Sequence, residues 1–187
     1  MQLTKIVHQH LEKYLSPGSI AIDATAGNGY DTEKMAQLVG KDGQVIAIDI
    51  QTSAIHATNA RLKTNKLSNY QLHEGDHASI IFNLHETYEN SVSAITFNLG
   101  YLPGSDKAIR TNPESTLTAL NSAALLLSAH GALFVTAYRA HEGGKKEADL
   151  VANWMKEKRA TGFSVECFEP TGKTRIPPVL WICCRSS

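Results

Sequence analysis

Residues 19–32 read Ser19-Ile-Ala-Ile-Asp23-Ala-Thr-Ala-Gly27-Asn28-Gly29-Tyr30-Asp31-Thr32, and the order of residue types in this stretch decides the fold. Residues 19–24 are a short apolar run with β-branched members, the composition of a buried strand. Gly27 and Gly29 let the chain turn tightly and bring its backbone close to a ligand with no Cβ in the way. From Asp31 to residue 39 the pattern turns helical, so a helix start presents its free N–H groups directly after the turn. Strand, glycine turn and helix open a parallel α/β unit. A plain strand-to-helix turn is the competing reading of the two glycines.

Working outward, the alternation continues in both directions. Leu3, Ile6, Val7, Leu11, Tyr14 and Leu15 repeat with helical spacing, which predicts a helix over 2–15 ended by Ser16-Pro17-Gly18. Downstream, strands are predicted at 44–49, 70–74, 93–98 and 131–138. Helices are predicted at 53–65, 78–85, 113–128 and 145–159, with Pro113 favourable at a first helical position. Two strands, 163–168 and 179–184, close the chain without a helix between them. One of them is therefore expected to run antiparallel at the edge or to insert beside its neighbour. The fold class expected is α/β: one Rossmann-like domain over 1–187 with a mostly parallel seven-stranded sheet, helices on both faces and the first helix packed on the sheet.

Bulk properties narrow the function. The chain has 187 residues, 42% hydrophobic and 19% charged, with 18 basic against 18 acidic residues. Zero net charge argues against coating nucleic acid through a broad basic surface, though not against a local patch. Local candidates are Lys107, Arg110, Lys145, Lys146, Lys156, Lys158, Arg159, Lys173 and Arg175. No apolar run approaches the roughly 20 residues of a membrane helix. The N-terminus resembles neither a signal nor a transit peptide, so the cytoplasm is expected. Cys167, Cys183 and Cys184 form neither a disulfide framework nor a metal-ligand spacing, and no metal is expected.

The chemistry is expected at the carboxyl ends of the strands, where open α/β sheets bind ligands. The glycine turn lacks a full GxGxxG run, and no Gly-Lys-Ser/Thr follows for a P-loop. Its Asp-Ala-x-Ala-Gly-Asn-Gly order resembles the first motif of class I methyltransferases. Asp49, about 20 positions on and at the end of the second strand, is placed for ribose hydroxyls or, alternatively, to cap the following helix. Asp76, in Gly75-Asp76-His77, could reach an adenine amine or cap a helix. The fourth strand ends in Phe97-Asn98-Leu99-Gly100-Tyr101-Leu102-Pro103-Gly104-Ser105-Asp106-Lys107. Many nucleic-acid amine methyltransferases carry an Asn/Asp-Pro-Pro-aromatic motif at that point. A methyl sulfonium needs a nitrogen held in line with its S–CH₃ bond rather than an acid. The Asn98 amide oxygen suits that task, and Tyr101 could stack on a base.

Together, residues 23–32, Asp49-Ile50-Gln51, Gly75-Asp76-His77 and 97–107 resemble one small class I family that was long labelled an rRNA methylase. Its members are understood as tRNA methyltransferases acting on the aminomethyl group of 5-aminomethyl-2-thiouridine at the wobble position. The likeness extends to Pro113, Asn121-Ser122, Tyr138-Arg-Ala-His141-Glu-Gly143-Gly144-Lys-Lys-Glu147 and Arg175-Ile-Pro-Pro178. Family members usually carry Tyr-His-Gly-His where this chain has Tyr138-Arg139-Ala140-His141.

The resemblance implies S-adenosylmethionine as cofactor and the tRNA anticodon region as partner. It implies a cofactor site of Asp23, Gly27, Asn28, Gly29, Asp31, Thr32, Asp49, Gln51, Asp76, His77 and Asn98. Catalysis is expected from Asn98, Tyr101 and His141, and substrate contacts from Gly100, Leu102, Asp106, Lys107, Tyr138, Arg139 and Arg175. Either His141 or Asp106 could take the amine proton, although water could suffice. The alternatives are methylation of rRNA or of a small-molecule amine, a binding module that has lost catalysis, and a nicotinamide oxidoreductase. Pairing into a homodimer is common among small enzymes, but no residue pattern specifies it.

Overall fold

The computed structural model describes residues 3–102, 110–170 and 176–185. The chain opens with α1 (Leu3–Tyr14), β1 (Ile20–Asp23), α2 (Tyr30–Val39), β2 (Gln44–Asp49), α3 (Thr52–Thr64) and β3 (Tyr70–Glu74). It continues with α4 (His77–Asn83), α5 (His85–Tyr88), β4 (Val92–Leu99), α6 (Pro113–Leu126) and β5 (Leu127–Ala137). The last elements are α7 (Gly144–Ala160), β6 (Phe163–Phe168) and β7 (Val179–Arg185). The seven strands form one sheet in the order β3-β2-β1-β4-β5-β7-β6. Strands β1 to β5 pair in parallel, while β7 inserts between β5 and β6 and runs antiparallel to both.

Side chains alternate across each strand, so the sheet builds a core on either face. Ala21, Val45, Ala94 and Phe134 pack with Leu11 of α1, Met35 and Val39 of α2, and Leu62 of α3. Their neighbours Ile22, Ile46, Ile95 and Phe97 point the other way, toward Ile81 of α4, Leu120 of α6 and Val151 of α7. Each large side chain buried this way contributes roughly 1.5–3 kcal/mol. The strand order reverses between β1 and β4. A cleft forms at that point because the crossovers on either side lead to opposite faces.

The helix starting at Pro113 ends two residues earlier than its periodicity predicts. Leu127 is already extended, with φ −61° and ψ 130°. Strand β5 pairs Leu127 with Val92 and then shifts register before Ala132 meets Ala94. At Gly131, inside this irregularity, a Cβ would lie 2.7 Å from the Val92 carbonyl oxygen. Strand pairing thus captures the end of the helical pattern, and glycine admits the close approach. Among the described residues no helix is long and apolar enough to cross a membrane.

Candidate active site

A cavity of about 720 Å³ opens at the carboxyl ends of β1 to β5. Its first half is built from the glycine turn. Gly27 and Gly29 have φ of 53° and 76°, a region that glycine enters without steric cost. The Gly27 N–H donates to Asp49 Oδ2 and the Gln51 N–H to Asp49 Oδ1, both at 2.9 Å. Asp49 thereby joins the turn to the residue that caps α3, and its oxygens keep lone pairs for the cavity that it lines.

Gly29 faces α3 instead. A Cβ there would lie 2.9 Å from Thr58 Cα, and Thr58 Oγ1 donates to the Gly27 carbonyl at 3.1 Å. Arg61 fastens the outside of the turn. Its Nε donates to the Asn28 carbonyl at 2.7 Å, and its guanidinium lies 3.7 Å from the Tyr30 ring centre. Gly27, Asn28, Asp31, Asp49 and Gln51 line the cavity.

Asp23 and Thr32 sit behind that wall, both fully buried. Asp23 accepts from Thr32 Oγ1 at 2.6 Å and from the Thr25 N–H and Thr96 Oγ1 at 3.3 Å. Burial, with the Asp31 charge nearby, pushes the Asp23 carboxyl up to about 7.

At the end of β3, Asp76 serves as a helix cap and also borders the cavity. It caps α4 by accepting from the Ser79 N–H at 3.2 Å. Burial works against its charge, but hydrogen bonds from Ser115, where α6 begins, and from Ser79 hold the carboxyl below the usual range. His77 is buried against the edge of Phe97, with ring centres 5.7 Å apart. That burial lowers its pKa, so the ring lines the cavity as neutral imidazole.

The second half lies at the ends of β4 and β5. The Asn98 backbone N–H donates to Thr25 Oγ1 at 2.7 Å, and its Nδ2 donates to Asp31 Oδ2 at 2.8 Å. Tyr101 pairs as an isolated antiparallel bridge with Arg110, and its ring meets His141 edge to face at 5.8 Å. Gly144 seats that histidine, since a Cβ there would lie 2.7 Å from His141 Nε2. Gly100, Leu102 and Tyr138 complete this wall. Burial raises the Tyr138 pKa, so its hydroxyl remains protonated.

Arg139 turns away from the cavity. Its Nε donates to the Pro177 carbonyl at 2.8 Å and its guanidinium pairs with Glu169, while Ala140 next to it lines the wall. Asn121 is used inside the fold, accepting from Trp154 Nε1 at 2.8 Å. Asp106, Lys107 and Arg175 lie outside the described residues. The cavity also takes in Thr4, His8, Tyr30 and Ser115, to which the sequence reading gave no role at the site. Thr4 and His8 are four apart on α1, a spacing that places them on one helical face. Among the described residues no cluster of three or more His, Cys, Asp or Glu is placed to hold a metal ion.

A family model described as "Putative rRNA methylase" matches residues 45–184. This chain belongs to that family. A second model, Protein-L-isoaspartate(D-aspartate) O-methyltransferase, matches residues 2–80. A crystal structure described as a "putative rRNA-methylase" from Clostridium thermocellum is similar at TM-score 0.90 and 32% identity, covering 98% of this chain and 97% of that one. A "putative methyltransferase" from Streptococcus mutans, solved in complex with SAH, matches at TM-score 0.87 and 33% identity over 100% and 99% of the two chains. The tRNA (mnm(5)s(2)U34)-methyltransferase, chloroplastic, of Arabidopsis thaliana is 33% identical over 97% of this chain. The chain spans 62% of the length of that relative.

Like its relatives, this family member is a methyltransferase whose cofactor is S-adenosylmethionine. The residues fit that molecule. The cavity volume falls in the range of roughly 300–1,000 Å³ typical of small-molecule sites. A Cβ on Gly27 would lie 3.3 Å from Leu102 Cδ1, so a larger residue would narrow the passage between the two halves.

Proposed function

We propose that the chain transfers a methyl group from S-adenosylmethionine to the aminomethyl nitrogen of 5-aminomethyl(-2-thio)uridine at the tRNA wobble position. The observation that carries this reading is the Asn98 amide, which lines the cavity where the cofactor half meets the wall of Tyr101 and Tyr138. The name of the Arabidopsis relative supports the same acceptor. When bound, the cofactor supplies an electrophilic methyl group on a sulfonium.

Asp49 and Gln51 hold the ribose in this reading, Asp76 faces the adenine amine, and Asp31 lies toward the methionine end. Gly27, Asn28 and Gly29 shape the turn beneath the cofactor. Asp23 and Thr32 act from behind the wall by bracing that turn. His77 closes the floor as an uncharged ring.

Asn98 Oδ1 accepts a hydrogen bond from the acceptor amine and aims its lone pair at the methyl carbon. The amine lone pair would form the new C–N bond with the methyl group that the bound cofactor would supply, the C–S pair staying with its sulfur. The resulting ammonium then gives its extra proton to water or to His141, whose Nε2 has no hydrogen-bond partner among the described residues. Tyr101 and Tyr138 flank the base. Arg110, paired with exposed Glu142 at 3.2 Å, stands at the rim where a phosphate can replace the glutamate. Gly100, Leu102, Asp106, Lys107 and Arg175 are assigned to the RNA side, whereas Arg139, held by Pro177 and Glu169, is left out of it. The cytoplasm is our proposed compartment, and a homodimer our proposed assembly.

The family description and the zero net charge favour a second reading, methylation of rRNA or of a small-molecule amine. Labelled methyl incorporation into tRNA, rRNA and a metabolite extract separates the two. We expect label in tRNA only when the aminomethyl precursor is present. Efficient methylation of an unmodified transcript would overturn the proposal.

A further inference from the structure

Three side chains from three elements form a hydrogen-bonded line along the cavity. His8 of α1 places Nε2 2.7 Å from Asp31 Oδ1, and Asp31 Oδ2 accepts from Asn98 Nδ2 at 2.8 Å. All three line the cavity. A primary amide has one end that only donates and one that only accepts, and a flip exchanges them. An ionised carboxylate only accepts. Asp31 therefore admits the nitrogen of Asn98 and leaves Oδ1 free of hydrogen bonds among the described residues. The Asn98 backbone is meanwhile tied to Thr25, so backbone and side chain are fixed together.

We propose that His8 is a positioning residue for methyl transfer: by holding Asp31, it fixes the Asn98 amide with its oxygen toward the acceptor amine. This rests on the reading of Asn98 given above. The Asp31 side chain is only 12% exposed, so water competes poorly for the oxygen that His8 occupies. Leu3, Ile6, Val7 and Leu11 anchor α1 by their burial, and His8 is presented from that fixed frame. Without His8 the carboxylate can rotate, and the amide loses the contact that forbids its flip. The first helix, which precedes the glycine turn, thus becomes part of the acceptor machinery.

The test compares His8→Leu with His8→Gln in the full chain. Glutamine keeps an N–H donor at about the reach of Nε2, while leucine keeps only bulk. We expect His8→Leu to lower kcat for transfer to aminomethyl-bearing tRNA by roughly 10- to 100-fold. Affinity for S-adenosylmethionine should fall by much less than kcat, since Asp31 also borders the cofactor half, and His8→Gln should recover most of the rate. A readout that needs no acceptor is the ¹⁵N side-chain amide signal of Asn98, identified by its loss in Asn98→Ala. Its exchange with water should quicken in His8→Leu and stay slow in His8→Gln.

Equal loss of rate in both His8 variants would overturn the proposal, since that points to helix packing. So would a loss confined to cofactor affinity, or an Asn98 signal unchanged in His8→Leu. A parent enzyme that methylates no tRNA refutes the wobble-uridine reading instead. The amide signal still decides the role of His8 in that case.

Discussion

The two halves of the cavity are made in different ways. The half at the ends of β1 and β2 is wired through the backbone. Gly27 and Gln51 N–H groups clasp Asp49, Arg61 holds the Asn28 carbonyl, and Thr58 fills the space that Gly29 leaves. The half at the ends of β4 and β5 is wired through side chains drawn from far apart in the chain. Asp31, held by His8, reaches across from the first half to Asn98, Tyr101 meets His141, and Arg110 meets Glu142. Backbone wiring gives a rigid cradle for a ligand of constant shape. Side-chain wiring gives a wall whose chemistry changes one residue at a time, which suits a variable methyl acceptor.

If the halves are separable in this way, substitutions should sort by which constant they move. The largest effect is expected from Asn98→Ala. Its kcat should fall roughly 10²–10³-fold while the Kd for S-adenosylmethionine, followed by calorimetry, stays close to the parent value. A comparable loss of cofactor affinity would break the division. Asp49→Ala should do the reverse, weakening cofactor binding about 10- to 100-fold because hydrogen bonds to a charged group are lost. Its kcat at saturating cofactor should change much less.

Glu147 sharpens the comparison. This buried carboxylate accepts from Thr111 Oγ1 at 2.8 Å and from Thr116 Oγ1 at 2.5 Å, so it ties the segment after Arg110 to α6 and α7. Glu147→Ala should raise KM for tRNA about fivefold through the loss of one or two hydrogen bonds, leaving cofactor Kd alone. A change in cofactor Kd instead would place Glu147 with the other half.

The smallest effect concerns pH. The folded-state pKa of Asp23 is raised above its unfolded value. Its contribution therefore stabilises the fold fully below the unfolded pKa, near 4, and is lost as pH rises toward about 7. Asp23→Asn should flatten the corresponding fall in Tm between about pH 4 and pH 7. An unchanged slope would show that other groups govern it.

The alternation of apolar runs, glycine turns and helical spacing made the parallel sheet legible, because each reports a local preference that the tertiary structure keeps. The place of Asp49 and Asn98 on the cavity wall was legible for a related reason. They close strands, and strand ends face the ligand in this class of fold. Thr4 and His8 were not legible, since the pattern of α1 reports only the face that it buries. Which of its remaining residues meets the cavity depends on how α1 lies against the sheet. The turn-away of Arg139 has the same origin. Its position beside Tyr138 suggested the substrate side, but its partners, Pro177 and Glu169, are 30 or more residues away in sequence. The early end of α6 was hidden because Leu126 and Leu127 suit helix and strand equally, and pairing with Val92 decides between them.

One measurement tests the central claim most directly. The purified protein is incubated with labelled S-adenosylmethionine and tRNA from cells blocked in the final wobble-uridine methylation. The tRNA is then digested and the labelled nucleoside identified by mass spectrometry. Label on methylaminomethyl uridine, absent with Asn98→Ala, is the predicted result. Cofactor binding without label in tRNA, or label on another nucleoside, would contradict it.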